Sequence, residues 1–64
     1  MITRDQIAAM RKSLLSKVEM KVGDKVISGI WSDIEIETRT GEITGVYVDK
    51  KRYGLNQIDY FNTK

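Results

Sequence analysis

The chain has 64 residues, no cysteine, histidine or proline, 41% hydrophobic and 31% charged side chains, and a formal net charge of +2. A domain this short buries only about 60% of the surface its unfolded form exposes, which leaves no room for a core plus a deep substrate cleft. Without cysteine there is no disulfide framework, thiolate nucleophile or sulfur-ligated zinc, and without histidine the commonest general base and nitrogen ligand are missing, so the expectation is a non-catalytic module without cofactor or metal.

The N-terminus carries a helix-start signature, with Thr3 as N-cap, Gln6 as its capping-box partner, and Ile2 and Ile7 spaced as a hydrophobic staple. Ile7, Met10, Leu14 and Val18 follow at helical spacing, with Ala8 and Leu15 widening the stripe, so an amphipathic helix is predicted over about 4–17. Arg11 falls inside that stripe, where it either snorkels along the rim or reaches a carboxylate.

From Lys21 the period changes from helical to alternating. Strands are predicted at Lys25–Ser28, Ile34–Arg39, Glu42–Val48, Arg52–Leu55 and Tyr60–Phe61, with turns at Gly23-Asp24, Thr40-Gly41 and Asp49-Lys50 and a tight or 3₁₀ turn at Asn56–Ile58. Gly45 marks a bulge or a close backbone approach. Five short strands in so few residues cannot cover both faces of an open sheet, which favours a small barrel with the helix over one opening. The fold class is therefore α+β, mainly β: one domain over 1–64, with a helix at about 4–17 and a five-stranded antiparallel barrel at about 21–62.

Val22-Gly23-Asp24-Lys25-Val26, Gly41-Glu42-Ile43-Thr44-Gly45-Val46, Tyr53-Gly54-Leu55 and Ile58 before a last strand resemble SH3-like small barrels of the KOW and Tudor type over residues 21–62. A helix preceding a barrel is also similar to the Sm-like proteins, although the strand spacing after Gly41 departs from theirs. The KOW-like and Sm-like resemblances imply RNA or DNA binding. Gly23-Asp24-Lys25-Val26 and Gln57-Ile58 also resemble segments of the plasmid-type dihydrofolate reductases, but Asp59 separates Ile58 from the aromatic that should follow it. No enzyme is predicted from that similarity.

Asp33, Glu35 and Glu37 alternate along the second predicted strand, about 7 Å apart on one outward face. That spacing spreads carboxylates that a hard cation would need to converge, so they read as a solvated or partner-facing surface. Charge is segregated along the chain: residues 1–31 hold six Lys/Arg against three Asp/Glu, residues 32–49 one against five, and residues 50–64 four against one. Arg4, Lys12 and Lys17 on the helix, with Lys50, Lys51 and Arg52 at a hairpin tip beside Tyr53, form a candidate nucleic-acid contact, the cations meeting phosphates and the ring stacking on a base. Trp31 lies in the predicted loop between the first two strands, where an exposed indole would be a binding hot spot and a buried one a core residue.

A protein partner is the leading expectation, with Trp31, Asp33, Glu35 and Glu37 as its contacts. Small single-domain chains of this kind are often regulators or inhibitors carried by phages or mobile elements. Nucleic acid at Lys50, Lys51, Arg52 and Tyr53 is the alternative. The small core also predicts a homodimer or a bound partner. No apolar run approaches the ~18 residues of a membrane span, and no signal-peptide pattern opens the chain, so a complete cytoplasmic product without membrane contact is expected.

Overall fold

Thr3 does start a helix. Its hydroxyl accepts from the Gln6 backbone N–H at 3.3 Å, and the Gln6 side chain accepts from the Thr3 N–H at 2.9 Å, closing the capping box. A computed structural model describes residues 2–64, in the order α1 (Arg4–Ala9), a 3₁₀ turn (Arg11–Ser13), β1 (Lys17–Val22), β2 (Lys25–Ile36), β3 (Ile43–Val48), β4 (Lys51–Gly54), a second 3₁₀ turn (Leu55–Gln57) and β5 (Ile58–Thr63). The strands form one five-stranded antiparallel sheet in the order β4-β3-β2-β1-β5, with β4 and β5 at its edges.

The predicted helix over 4–17 is corrected to six α-helical residues and a 3₁₀ turn. Leu14 leaves helical geometry at φ −56°, ψ 140°, and Leu15 reverses the chain at φ +72°. The backbone then joins β2, because the Leu15 N–H donates to the Trp31 carbonyl at 2.8 Å and the Trp31 N–H donates to the Ser16 carbonyl at 3.0 Å. Val18 and Met20 point into the core from β1, while Lys17 and Glu19 do not. Val18 stands at helical spacing from Leu14 and at strand spacing from Met20. As a strand, this segment is paired on both sides, to β2 and to β5, and a longer helix would leave those ladders unmade.

A second correction joins the first two predicted strands into one. β2 runs unbroken for 12 residues, pairing with β1 over Lys25–Ile30 and with β3 over Trp31–Ile36. It passes from one ladder to the other with irregularities between Trp31 and Asp33 and between Glu35 and Ile36. Gly29 allows the passage. A Cβ there would lie 2.2 Å from the Asp49 carboxylate, which reaches over β2 to accept from the Ile30 N–H at 2.9 Å. Asp49 and Lys50, at φ +52° and +68°, form the two-residue turn between β3 and β4, the twist of a type I′ hairpin.

The core sits where the two ladders meet and consists of Ile2, Ile7, Val18, Met20, Trp31, Val46, Val48, Ile58 and Phe61. Trp31 is 0% exposed, meets the Phe61 ring edge-on at 5.0 Å between centroids, and donates its indole N–H to the Asp33 carbonyl at 3.0 Å. The expected partner-contacting loop around Trp31 is thus the interior of a strand, and the indole is packing rather than an exposed anchor. Among the described residues no polar or charged residue is buried, and no helix is long and apolar enough to cross a membrane.

Candidate functional site

The alternation of β1 turns Lys17, Glu19 and Lys21 away from the core, and the register sets them beside β2 and β5 in three rows. Val26, Lys21 and Tyr60 make the first row, Ser28, Glu19 and Asn62 the second, and Ile30 and Lys17 the third, where the Lys64 N–H donates to the Lys17 carbonyl at 2.9 Å. Directly paired side chains share a face with their Cβ atoms about 4.5–5.5 Å apart, so this is one continuous outer surface. Glu19 at its centre is occupied: the Tyr60 hydroxyl donates to it at 3.2 Å, and Lys64 Nζ lies 3.7 Å from it and donates to the Ser28 hydroxyl at 3.3 Å. Partial burial, with the Glu19 charge alongside, raises the Tyr60 phenol above its ordinary value. Lys17 and Lys21 form no ion pair among the described residues. Val26 and Ile30 are 59% and 43% exposed, and Leu15, at the end of the same ladder, is 71% exposed.

The outer face of β2, β3 and β4 is built differently. Here Asp33 stands beside Tyr47, and Tyr47 beside Arg52, while Glu35 pairs with Gly45 and Gly45 with Gly54. Arg52 reaches Glu35 with two guanidinium N–H groups, the Nη2 bond being 2.9 Å, and the Thr44 hydroxyl donates to the same carboxylate at 2.8 Å. The Arg52 hydrogen bond, followed by that of Thr44, holds the Glu35 carboxyl below its usual value, and Glu35 in turn raises Arg52. The bare backbone at Gly45 leaves room for this pair, since a Cβ there would stand 3.3 Å from Glu35 Oε1 and 2.7 Å from the Tyr53 carbonyl.

The sequence-predicted contacts are therefore dispersed. Trp31 is in the core, and Glu35 is engaged by Arg52. Asp33 is exposed, its carboxylate accepting from the Ile34 N–H at 2.8 Å. Glu37 follows β2 and folds the loop before β3, accepting from the Arg39 N–H at 3.1 Å. In the basic group, Lys50 is in the turn, Lys51 Nζ lies 5.7 Å from the centroid of the Tyr53 ring, and Arg52 is taken by Glu35. Arg4 pairs with Glu42 at 3.2 Å, Lys12 lies in the first 3₁₀ turn and Lys17 opens β1, so the expected helical stripe does not exist. Arg11 is exposed and forms no ion pair among the described residues.

Ser32, Asp33, Tyr47 and Lys50 line an open cleft of about 340 Å³. The Ser32 hydroxyl there is committed to the fold, donating to the Tyr47 carbonyl and accepting from the Lys50 N–H at 3.0 Å. Among the described residues no cluster of three or more carboxylates is placed to hold a metal ion. The surface that the sequence reading missed is the one carrying Leu15, Val26, Ile30 and Lys21. Its signal was the alternation in Lys17-Val18-Glu19-Met20-Lys21-Val22, which begins four residues before the predicted change of period.

Comparison with known proteins found no matching family model, no matching curated protein and no matching solved structure.

Proposed function

We propose that the chain is a non-catalytic binding module that docks on a larger protein partner, as a phage or mobile-element regulator or inhibitor does, and that its sheet is a small barrel of the SH3-like kind. The long β2 shared by two ladders, the 3₁₀ turn between β4 and β5, and the strand order support the barrel reading. The observation that carries the functional reading is the exposure of Leu15, Val26 and Ile30 around one ladder. Val26 and Ile30 are held on paired backbone, and Leu15 adopts a left-handed conformation that costs an L-residue about 1–2 kcal/mol. Strain and exposure together at a large apolar residue favour a surface that a partner covers.

A KOW-like or Sm-like nucleic-acid binder is the second reading, favoured by the exposed Lys50 and Lys51 at the β3–β4 turn beside Tyr53. Against it, Arg52 is neutralised by Glu35, Asp33 shares the cleft with Lys50, and Lys51 lies over the ring that would stack on a base. Capture from native cell extract, before and after nuclease treatment, separates the two. Under the protein reading the captured species survives nuclease and is lost with the Val26→Asn/Ile30→Asn variant. Loss on nuclease treatment alone, with the variant unaffected, would overturn it. Sedimentation of the isolated chain adds whether a second copy is itself a partner.

A further inference from the structure

Resting on the protein-binding reading, we infer that the outer face of β1, β2 and β5 recognises an acidic protein segment that also carries aliphatic side chains. The face holds Lys17, Lys21 and Lys64 against Glu19, with the exposed Asp59 beside Tyr60 at the β5 bulge, so three lysine side chains meet two carboxylates and leave a net charge of +1. Glu19 is spent within the face on Tyr60 and Lys64, whereas Lys17 and Lys21 keep their charge unpaired among the described residues. Each free lysine is directly opposite an exposed aliphatic residue, Lys17 by Ile30 and Lys21 by Val26. The same pairing of cation and hydrophobe thus recurs four residues apart along both strands, a separation of about 13 Å at strand rise. An occupant that satisfies both halves of each pair presents a carboxylate next to an aliphatic group, twice. An acidic amphipathic segment of another protein has that chemistry, and opposite charge across the rim governs its encounter rate and its choice of partner.

Nucleic acid fits this face less well. Val26 and Ile30 have no π surface on which a base could stack, and the aromatic residue present, Tyr60, is half-buried with its hydroxyl held by Glu19. A phosphate backbone running along the strands would also pass over the Glu19 carboxylate between the two lysines. An anionic bilayer would gain only about 1 kcal/mol for each lysine near its surface, without an amphipathic helix to insert.

The test is selection of random twelve-residue peptides on the intact chain, followed by titration of the selected peptides into ¹⁵N-labelled protein. Enrichment of Asp or Glu together with Leu, Ile or Val is expected, with amide shifts concentrated at Lys17–Lys21, Val26–Ile30 and Tyr60–Asn62. The Lys17→Glu/Lys21→Glu variant, its fold checked by amide dispersion, is expected to weaken those peptides by about tenfold or more and to select basic peptides instead. Neutral or basic peptides mapping to this face of the unaltered protein would overturn the acidic specificity while leaving the binding face standing. Peptides that map elsewhere, or selection that yields none, would overturn both the inference and the reading beneath it. Titration with a single-stranded oligonucleotide and with vesicles containing phosphatidylserine completes the comparison. Tighter binding of either than of the selected peptides, lost in the double variant, would overturn the inference in favour of that ligand.

Discussion

The two halves of β2 carry opposite solutions to the same problem. In the half paired with β1, charged and aliphatic side chains stand side by side in solvent, and Lys17 and Lys21 form no ion pair among the described residues. In the half paired with β3, Glu35 is bound by Arg52 and Thr44, and Gly45 keeps the space between strands open for that contact. The difference teaches that charge along a strand does not by itself mark a binding surface. Glu35 and Arg52 were both candidate contacts, and each neutralises the other, whereas Lys17 and Lys21 in the other ladder meet no carboxylate within ion-pair distance among the described residues.

Trp31 is the hinge between the halves, so its loss tests whether they are one structure. Trp31→Ala is expected to cost about 3–5 kcal/mol, because a fully buried indole and its edge-on contact with Phe61 are replaced by a cavity. Urea denaturation measures the loss, and blue-shifted, poorly quenched fluorescence is expected of the native protein as a direct report of the burial. Red-shifted, readily quenched emission from the folded chain would break the comparison at its centre.

Gly29→Ala is expected to act next most strongly. The added Cβ collides with the Asp49 carboxylate and forces it from the Ile30 N–H, losing a hydrogen bond and displacing the β3–β4 turn at a cost of about 1–3 kcal/mol. An additional Asp49→Ala change removes the obstacle along with the hydrogen bond, so Gly29→Ala should cost less in that background. A double-mutant cycle in which the two costs simply add would contradict this coupling.

The paired and unpaired halves should also differ in their response to pH. Since hydrogen bonding depresses the folded value of Glu35, its contribution to stability is present above the unfolded carboxyl value and disappears as pH falls through the folded one. Glu35→Gln should therefore flatten part of the acid limb of the stability curve. Tyr60 acts at the other end. Its folded value is raised, so its contribution is present below the unfolded phenol value of about 10 and is lost as pH rises through the folded value. Tyr60→Phe should remove that alkaline component, and Lys21→Gln should leave the Glu35 acid component in place.

The smallest expected effect on stability is at the proposed docking face. Val26→Asn and Ile30→Asn should each change unfolding free energy by no more than about 1 kcal/mol, the span of strand propensity, since both side chains are largely exposed, while abolishing partner capture. A large loss of stability would instead make these residues part of the core.

Local chemistry was legible wherever a signal lay within a few residues. Thr3 and Gln6 announce the helix start, Asp49-Lys50 the hairpin turn, and the β-branched run the strand at Ile43–Val48. The tight or 3₁₀ turn predicted at Asn56–Ile58 forms as a 3₁₀ turn one residue earlier, at Leu55–Gln57. Where a residue satisfied two periods at once, the reading failed. Val18 extended a helical stripe and began a strand, and the choice between them rests on β2 and β5, whose pairing residues lie far along the chain. Trp31 was misplaced for a related reason: Gly29 reads as a strand end until Asp49 is known to occupy the space beside it.

Composition and capping determined that these 64 residues have no cysteine or histidine chemistry and that a helix near Thr3 gives way to β structure, because those properties depend on residue type and near neighbours alone. Tertiary structure decided where the helix stops, that β2 is one strand, that Trp31 is core, and which charges are free. Each of those outcomes depends on a partner distant in sequence: Ser16 with Trp31, Gly29 with Asp49, Trp31 with Phe61, and Glu35 with Arg52. The strand register brings such pairs together, and periodicity within one segment fixes which side chains share a face but not which residue of a distant strand each one meets.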